Sequence, residues 1–334
     1  SFTGNKAGKD GGAIHAERDN FILGGSVSFV GNKADGLGGA IFLNQGNLGL
    51  DLSGNENMLF SGNLANGQAN SIHFSSNGLF SVNVADNASL DMRDPVSRAS
   101  GINTSVSKTG TGTWKLGGRN DFGNINSIVN ISDGTIYLYG GGETDNGYAL
   151  DGTTAKNVIA GSLVTNSFIL GANATLSSGG NNSIEANTLY LRGNLDIRSG
   201  SLELDATTAF YNNLGLTMGS GASLISSVDL VLGNINSTHT DTTIDTGSGS
   251  LSISSGSYDG LIEAEDFIKE GAGELYLGRE NAVATSNVTV NNGTLHLMGT
   301  TLGRRISGAG TVSIDAGDLS KEIVIGNGTG GFTG

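Results

Sequence analysis

Apolar residues along this chain come in pairs two positions apart, separated by small turn residues. In "TLYLRGNLDIRSGSLELD", Thr188 to Asp205, the pairs are Leu189/Leu191, Leu195/Ile197 and Leu202/Leu204. Alternation of period two predicts strands of about three to four residues with one face inward, and the gaps between them read as tight turns. The unit returns as Leu214/Leu216, Val228/Leu230/Leu232, Leu251/Ile253, Leu275/Leu277, Val288/Val290, Leu295/Leu297, Val312/Ile314 and Ile323/Ile325. No window carries a helical stripe with caps, so the expected class is all-β.

Strands this short do not stand alone, but they stack when the chain winds as a solenoid and each strand pairs with the windings above and below. Three strands of roughly seven residues each give a coil of about 20 to 24 residues, near the range of parallel β-helices. At ~4.8 Å per coil, roughly 15 coils make a rod of about 70 Å. A β-sandwich or jelly roll is the alternative; it predicts longer strands, more aromatic residues and regular Asn-Gly hairpins.

Two longer repeats overlie this rhythm. "FTGN" at 2–5, "FVGN" at 29–32 and "FSGN" at 60–63 share Phe2/Asn5, Phe29/Asn32 and Phe60/Asn63, and "DGGAI" at 10–14 and "LGGAI" at 37–41 share Gly11/Gly12 and Gly38/Gly39. In a solenoid the phenylalanines form an inward column, the asparagines a ladder of amides at a turn, and the glycines allow close backbone approach. A third copy, "GQANSIHF" at 67–74, keeps Ile72 and loses the glycine pair, so the column changes character near residue 70. The second repeat is "KTGTGTWKLGGRN" at 108–120 followed by "DGTIYL" at 133–138, matched by "KEGAGELYLGREN" at 269–281 and "NGTLHL" at 292–297. Aligning Lys108 with Lys269 places Trp114 on Leu275, Leu116 on Leu277 and Gly117 on Gly278, with "ISGAGTVSID" at 306–315 as a partial third copy.

This second motif resembles the autotransporter-associated β-strand repeat, and "GGAI" combined with "FxxN" resembles the repeats of chlamydial-type polymorphic outer-membrane proteins. The resemblance implies a right-handed parallel β-helix passenger carried to the cell surface by a C-terminal membrane barrel that these residues do not include. It also implies an adhesin, held at or released from the surface, whose partners are host-cell receptors, matrix proteins or glycans, or other copies of itself. Residues 1–80 would carry the FxxN/GGAI coils. Residues 81–334 would continue them with autotransporter-associated repeats.

Composition narrows the remaining classes. The chain has 334 residues with 56 glycines, one proline and no cysteine, and 37% of it is hydrophobic. That apolar share is too high for a disordered linker, and no collagen period accompanies the glycine. Thirty-one acids against 17 bases give a net charge of −14, which disfavours nucleic acid and anionic membranes as partners. Absent cysteine excludes disulfides and suits a chain that stays unfolded during export. No apolar run reaches ~18 residues, and no signal peptide opens the chain; both ends read as cut from something longer.

Chemistry is thin, and neither catalytic, cofactor nor metal residues are expected. His15, His73, His239 and His296 are scattered without metal-ligand spacing, and neither a nucleophile elbow nor a P-loop occurs. "GNGTGG" at 326–331 opens no helix and reads as a turn. The acids Asp259, Glu263, Glu265 and Asp266 raise the alternative of a carbohydrate-active β-helix enzyme, a polysaccharide lyase or hydrolase. Alternation, however, sets Glu263 and Glu265 on one side of a strand, where solvent is the cheaper side for two charges. The loop excursion 140–157 is the longest polar stretch between strand pairs, and Glu143, Asp145, Asn146 and Tyr148 make it a candidate binding loop.

Overall fold

The computed structural model describes residues 1–18, 20–140, 161–278, 282–298, 301–302 and 306–314. All of the regular structure among them is β, with no helix, and hence no helix long and apolar enough to cross a membrane. The chain divides into two compact units, Ser1–Tyr190 and Leu191–Gly334.

In the first unit, each repeat sends strands into several parallel ladders, and each strand lies beside its equivalent in the next repeat. Ile14–Ala16, Ile41–Leu43, Ile72–Phe74 and Val96–Arg98 form one small parallel sheet. Phe21–Gly24, Leu48–Leu52, Gly78–Val84 and Thr104–Thr109 form a second ladder, which continues into Arg119–Gly140. Phe2–Thr3 lies beside Ser28–Val30, which lies beside Asn57–Ser61; Ser89–Met92 and Thr113–Gly117 continue that ladder. The period-two pattern produces this arrangement because every second residue of each strand points inward, onto the aligned residue one repeat away. Phe80, Val106 and Val129 form one buried column, and Leu90, Trp114 and Ile136 another. Each such side chain contributes roughly 1.5–3 kcal/mol through burial.

The second unit repeats the scheme with a shorter period. Leu195 pairs with Leu216 and Leu216 with Ile235; Leu202 pairs with Leu224, Leu224 with Ile244, and Ile244 with Ile262. Side-chain hydrogen bonds between successive repeats span 27 and 31 positions among Asn5, Asn32 and Asn63, but 21 from Ser220 to Asp241 and from Asn287 to Asp266. Of the predicted apolar pairs in this unit, Val228 and Val312 are only half-buried, and Ile323/Ile325 lie outside the described residues.

Strand length departs from expectation. Strands range from two residues to the 22 of Arg119–Gly140, rather than three to four. The long strand keeps its ladder with Gly161–Gly180 through shifts of register between Asp121/Gly123, Gly123/Ile128 and Ile131/Asp133. Pairing with the next repeat persists around the corners, which side-chain alternation cannot reveal. The third repeat also differs. Leu64–Ala65 turns back on Gln68–Ala69 as an antiparallel hairpin whose tip, Asn66-Gly67, has φ of 47° and 73°. An Asn-Gly tip of this kind suits a two-residue hairpin turn; the glycine-pair positions just beyond it are taken by Ala69 and Asn70.

Candidate functional site

The FxxN motif is an inter-repeat joint. The rings of Phe2 and Phe29 stack at 4.8 Å with 1° between planes, and those of Phe29 and Phe60 at 4.7 Å with 8°. Isolated rings prefer offset or edge contacts, but here the ring spacing is the strand spacing, so the ladder imposes the stack. Beside it, Asn32 Oδ1 accepts from Asn5 N at 3.1 Å and Asn5 Nδ2 at 2.8 Å. Asn32 Nδ2 in turn donates to Asn63 Oδ1 at 2.9 Å and to the carbonyl of Phe2 at 2.9 Å. Both lone pairs and both hydrogens of the buried amide are used.

Asp94 ends this ladder. Its Oδ2 accepts from Asn63 N at 2.8 Å and Asn63 Nδ2 at 2.7 Å, and its Oδ1 from Gly62 N at 2.9 Å. An acceptor-only side chain fits the last place, where no further amide waits for a donor. Burial nevertheless outweighs these N–H groups and the nearby Arg93, so the carboxyl is held above the usual carboxylate range. The sequence reading missed Asp94. The available signal was its place after Met92, which continues the phenylalanine column beside Phe60.

The glycine pair works by contact. Gly38 has φ of 66°, and a Cβ on Gly39 would lie 2.4 Å from the carbonyl oxygen of Asn70. A Cβ on Gly12 would likewise lie 2.1 Å from the carbonyl oxygen of Gly39. Repeats pack backbone on backbone at this corner, so any side chain would force them apart.

The second motif hides a buried cation. Lys108 stands in an inward column between Val82 and Ile131, fully buried, as Lys269 does between Ile253 and Val290. Lys108 Nζ donates to the carbonyls of Thr109 at 3.2 Å, Gly110 at 2.5 Å and Asp133 at 2.9 Å. Lys269 Nζ repeats this with Glu270 at 2.6 Å, Gly271 at 2.8 Å and Asn292 at 3.1 Å. Three N–H bonds meet three carbonyls, so the ammonium is saturated without a carboxylate. Burial pushes Lys108 down to about 8 against the pull of Asp133, and lowers Lys269 against Glu270.

The closing glycines of this motif, Gly134 and Gly293, have φ of 70° and 69°. A Cβ there would lie 2.6 Å from Lys108 Nζ and 2.9 Å from Lys269 Nζ. The spacing K-x-G-x-G with a later Asp/Asn-Gly thus encodes one ammonium-capped corner, a role the alignment alone did not reveal. The partial third copy has Ile306 in the lysine's place, buried beside Val288.

The remaining candidates do not converge. His15 and His73 occupy one column, on either side of Phe42, with ring centroids 4.8 Å and 5.8 Å from it. His15 Nε2 meets Glu17 Oε1 at 2.8 Å, whereas His73 is buried with Nδ1 on Ser97 Oγ at 2.8 Å, and burial holds its pKa below the ordinary value. His296 stacks on Tyr276 at 4.2 Å, and His239 is exposed. Glu263 and Glu265 both face solvent, with Asp245 beside Glu263 in the ladder, while Asp266 accepts from Asn287. Among the described residues no group of three or more His, Asp or Glu is placed to hold a metal. The candidate loop residues Glu143, Asp145, Asn146 and Tyr148, and the glycine-rich 326–331, lie outside the described residues.

Residues 1–17 and 26–44 match the Chlamydia polymorphic membrane protein (Chlamydia_PMP) repeat. The stretches that match carry Phe2, Asn5, Gly11, Gly12, Phe29, Asn32, Gly38 and Gly39, the residues of the stacked ring, amide and glycine joints. The similarity to polymorphic membrane proteins is therefore one of structural repeat. No curated protein and no solved structure matches the chain significantly.

Proposed function

We propose that this chain is the surface-exposed passenger of a bacterial autotransporter, a type V secretion product. Each unit is wound as a right-handed parallel β-helix with three strands per turn. Its work is attachment, to host-cell receptors, matrix proteins or glycans, or to copies of itself, without enzymatic turnover. Affinity comes from many copies on one cell rather than from a single pocket. The observation that carries the reading is the polymorphic membrane protein repeat at 1–17 and 26–44, whose matched residues are those that join one repeat to the next. The parallel register between successive repeats supports it.

The test is attachment of beads coated with the purified chain to cultured host cells. Saturable binding that soluble chain competes away is expected. Beads that bind no better than albumin-coated ones would sink the adhesive role. Turnover of a polysaccharide that disappears in Glu263→Gln/Glu265→Gln would replace it with an enzyme.

A further inference from the structure

Three Asn-Gly pairs lie among the described residues, Asn66-Gly67, Asn77-Gly78 and Asn292-Gly293, and the fold holds them differently. Asn77 turns its Oδ1 to the main-chain N of Asn103 at 2.8 Å, and Gly78 N points to the carbonyl of Asn103 at 3.4 Å. The next repeat thus occupies both the amide and the nitrogen that follows it. Asn66 sits at the hairpin tip, with its N on the carbonyl of Ala34 at 2.9 Å. Asn292 is different: its exposed side chain folds over its own following peptide, where Oδ1 accepts from Gly293 N at 2.8 Å. That contact sets Cγ, one bond from Oδ1, beside the nitrogen of Gly293.

The second lysine corner acts on the same peptide. The carbonyl joining Asn292 to Gly293 is one of the three that Lys269 Nζ holds, at 3.1 Å. An ammonium on that oxygen draws electron density from the amide and makes its N–H a better acid. No side chain can shield the nitrogen, because a Cβ on Gly293 would lie 2.3 Å from the carbonyl oxygen of Gly273. In the first corner the same place is Asp133-Gly134, with Gly134 N on Asp133 Oδ1 at 2.8 Å. The two corners therefore carry the amide and the acid form of one geometry.

We infer that Asn292 is a site of spontaneous covalent modification, at which the second lysine corner deamidates its own asparagine through a cyclic imide. Gly293 N gives its proton to solvent hydroxide and bonds Asn292 Cγ; the Cγ–Nδ2 bond breaks, and Nδ2 takes a proton from water and leaves as ammonia. Water then opens the succinimide. Addition at Cγ breaks the bond from Cγ to the Gly293 nitrogen and yields aspartate, the residue of the first corner. Addition at the main-chain carbonyl breaks the other bond to that nitrogen and yields isoaspartate. There the oxygen held by Lys269 belongs to a carboxylate, and the chain is longer by one methylene. One water enters, one ammonia leaves, and either product gains a negative charge. A fold that presets the contact between reacting atoms supplies the proximity from which intramolecular reactions gain most.

Peptide mapping by mass spectrometry tests it on the whole chain, kept folded at physiological pH and temperature, with aspartyl and isoaspartyl peptides separated. Asn292 should convert about tenfold faster than Asn77. In urea that unfolds the chain, both should converge on one rate below that of folded Asn292, because the contacts that distinguish them are gone. Asp133→Asn writes an Asn-Gly pair into the first corner; position 133 should then convert about as fast as Asn292, with unchanged circular dichroism. An Asn292 that converts no faster than Asn77 in the folded chain overturns the inference. So does an Asn292 that reacts faster in urea than when folded, or a folded Asp133→Asn variant that stays inert at position 133. Should that variant not fold, the wild-type comparison decides alone. Host-cell attachment has no bearing on these rates, so the adhesive role and this site stand or fall separately.

Discussion

The amide ladder of residues 5–94 and the lysine corners at 108 and 269 solve the same problem in opposite ways. Both satisfy buried backbone and side-chain polar groups at the turn between strands, where leaving one unpaired costs about 1–3 kcal/mol. The ladder passes the obligation along: each asparagine is acceptor to the repeat before and donor to the repeat after, until Asp94 closes the series. A lysine corner settles it locally, with one ammonium holding two carbonyls of its own loop and one of the following turn. Ladders therefore need neighbours of the same kind, whereas a lysine corner can be inserted singly among aliphatic repeats. That difference explains why FxxN appears in consecutive repeats and the lysine motif in separated ones.

The sharpest way to break this comparison is to remove the cations. Lys108→Met and Lys269→Met should each cost about 3 kcal/mol in urea unfolding, because three buried carbonyls lose their donor. Unequal losses would show that the two corners are not equivalent. Gly134→Ala and Gly293→Ala should follow at about 2 kcal/mol each, since the new Cβ meets both a strained φ and the ammonium. An equal loss for Gly54→Ala, which has φ of 61° but no neighbour within 4 Å, would show that backbone strain alone is responsible.

Within the ladder, Asn32→Ala should cost about 1.5 kcal/mol, and Asn32→Asp should not restore it, because a carboxylate cannot donate to Asn63. Rescue by Asp would mean that acceptance alone holds the repeats together.

The smallest effects separate the regions by pH. Asp94 has a raised folded pKa, so its unfolded form ionises first and stability falls as pH climbs from the ordinary carboxylate value through the raised one. Lys108 has a lowered folded pKa, so stability is greatest above the ordinary lysine value and is lost as pH falls through about 8. Stability profiles of the wild type, Asp94→Asn and Lys108→Met should assign the acidic slope to the first residue and the alkaline slope to the second. The limit is about 1.4 kcal/mol per pH unit per proton. Persistence of either slope in its own variant would remove that group as the cause.

Much of this was written in the residue order. Leu195/Ile197 and Leu202/Leu204 announced inward pairs, and they are buried. Phe2, Phe29 and Phe60 announced a column, and their rings stack. Asn66-Gly67 is a recognisable hairpin signal, yet it was overshadowed by the missing glycine pair of the same repeat. The histidines read as scattered, although pairing brings His15 and His73 to either side of Phe42.

By itself, then, the sequence determined the all-β class, the inward alternation and the repeat joints, because period two and the recurrence of Phe, Asn and Gly are local properties of the chain. Tertiary structure alone decided the rest. It aligned Lys108 and Lys269 with aliphatic columns and gathered three carbonyls around each, and it closed the amide ladder on a buried aspartate. Those outcomes depend on register between residues more than twenty positions apart, and register is fixed only when the repeats pack against one another.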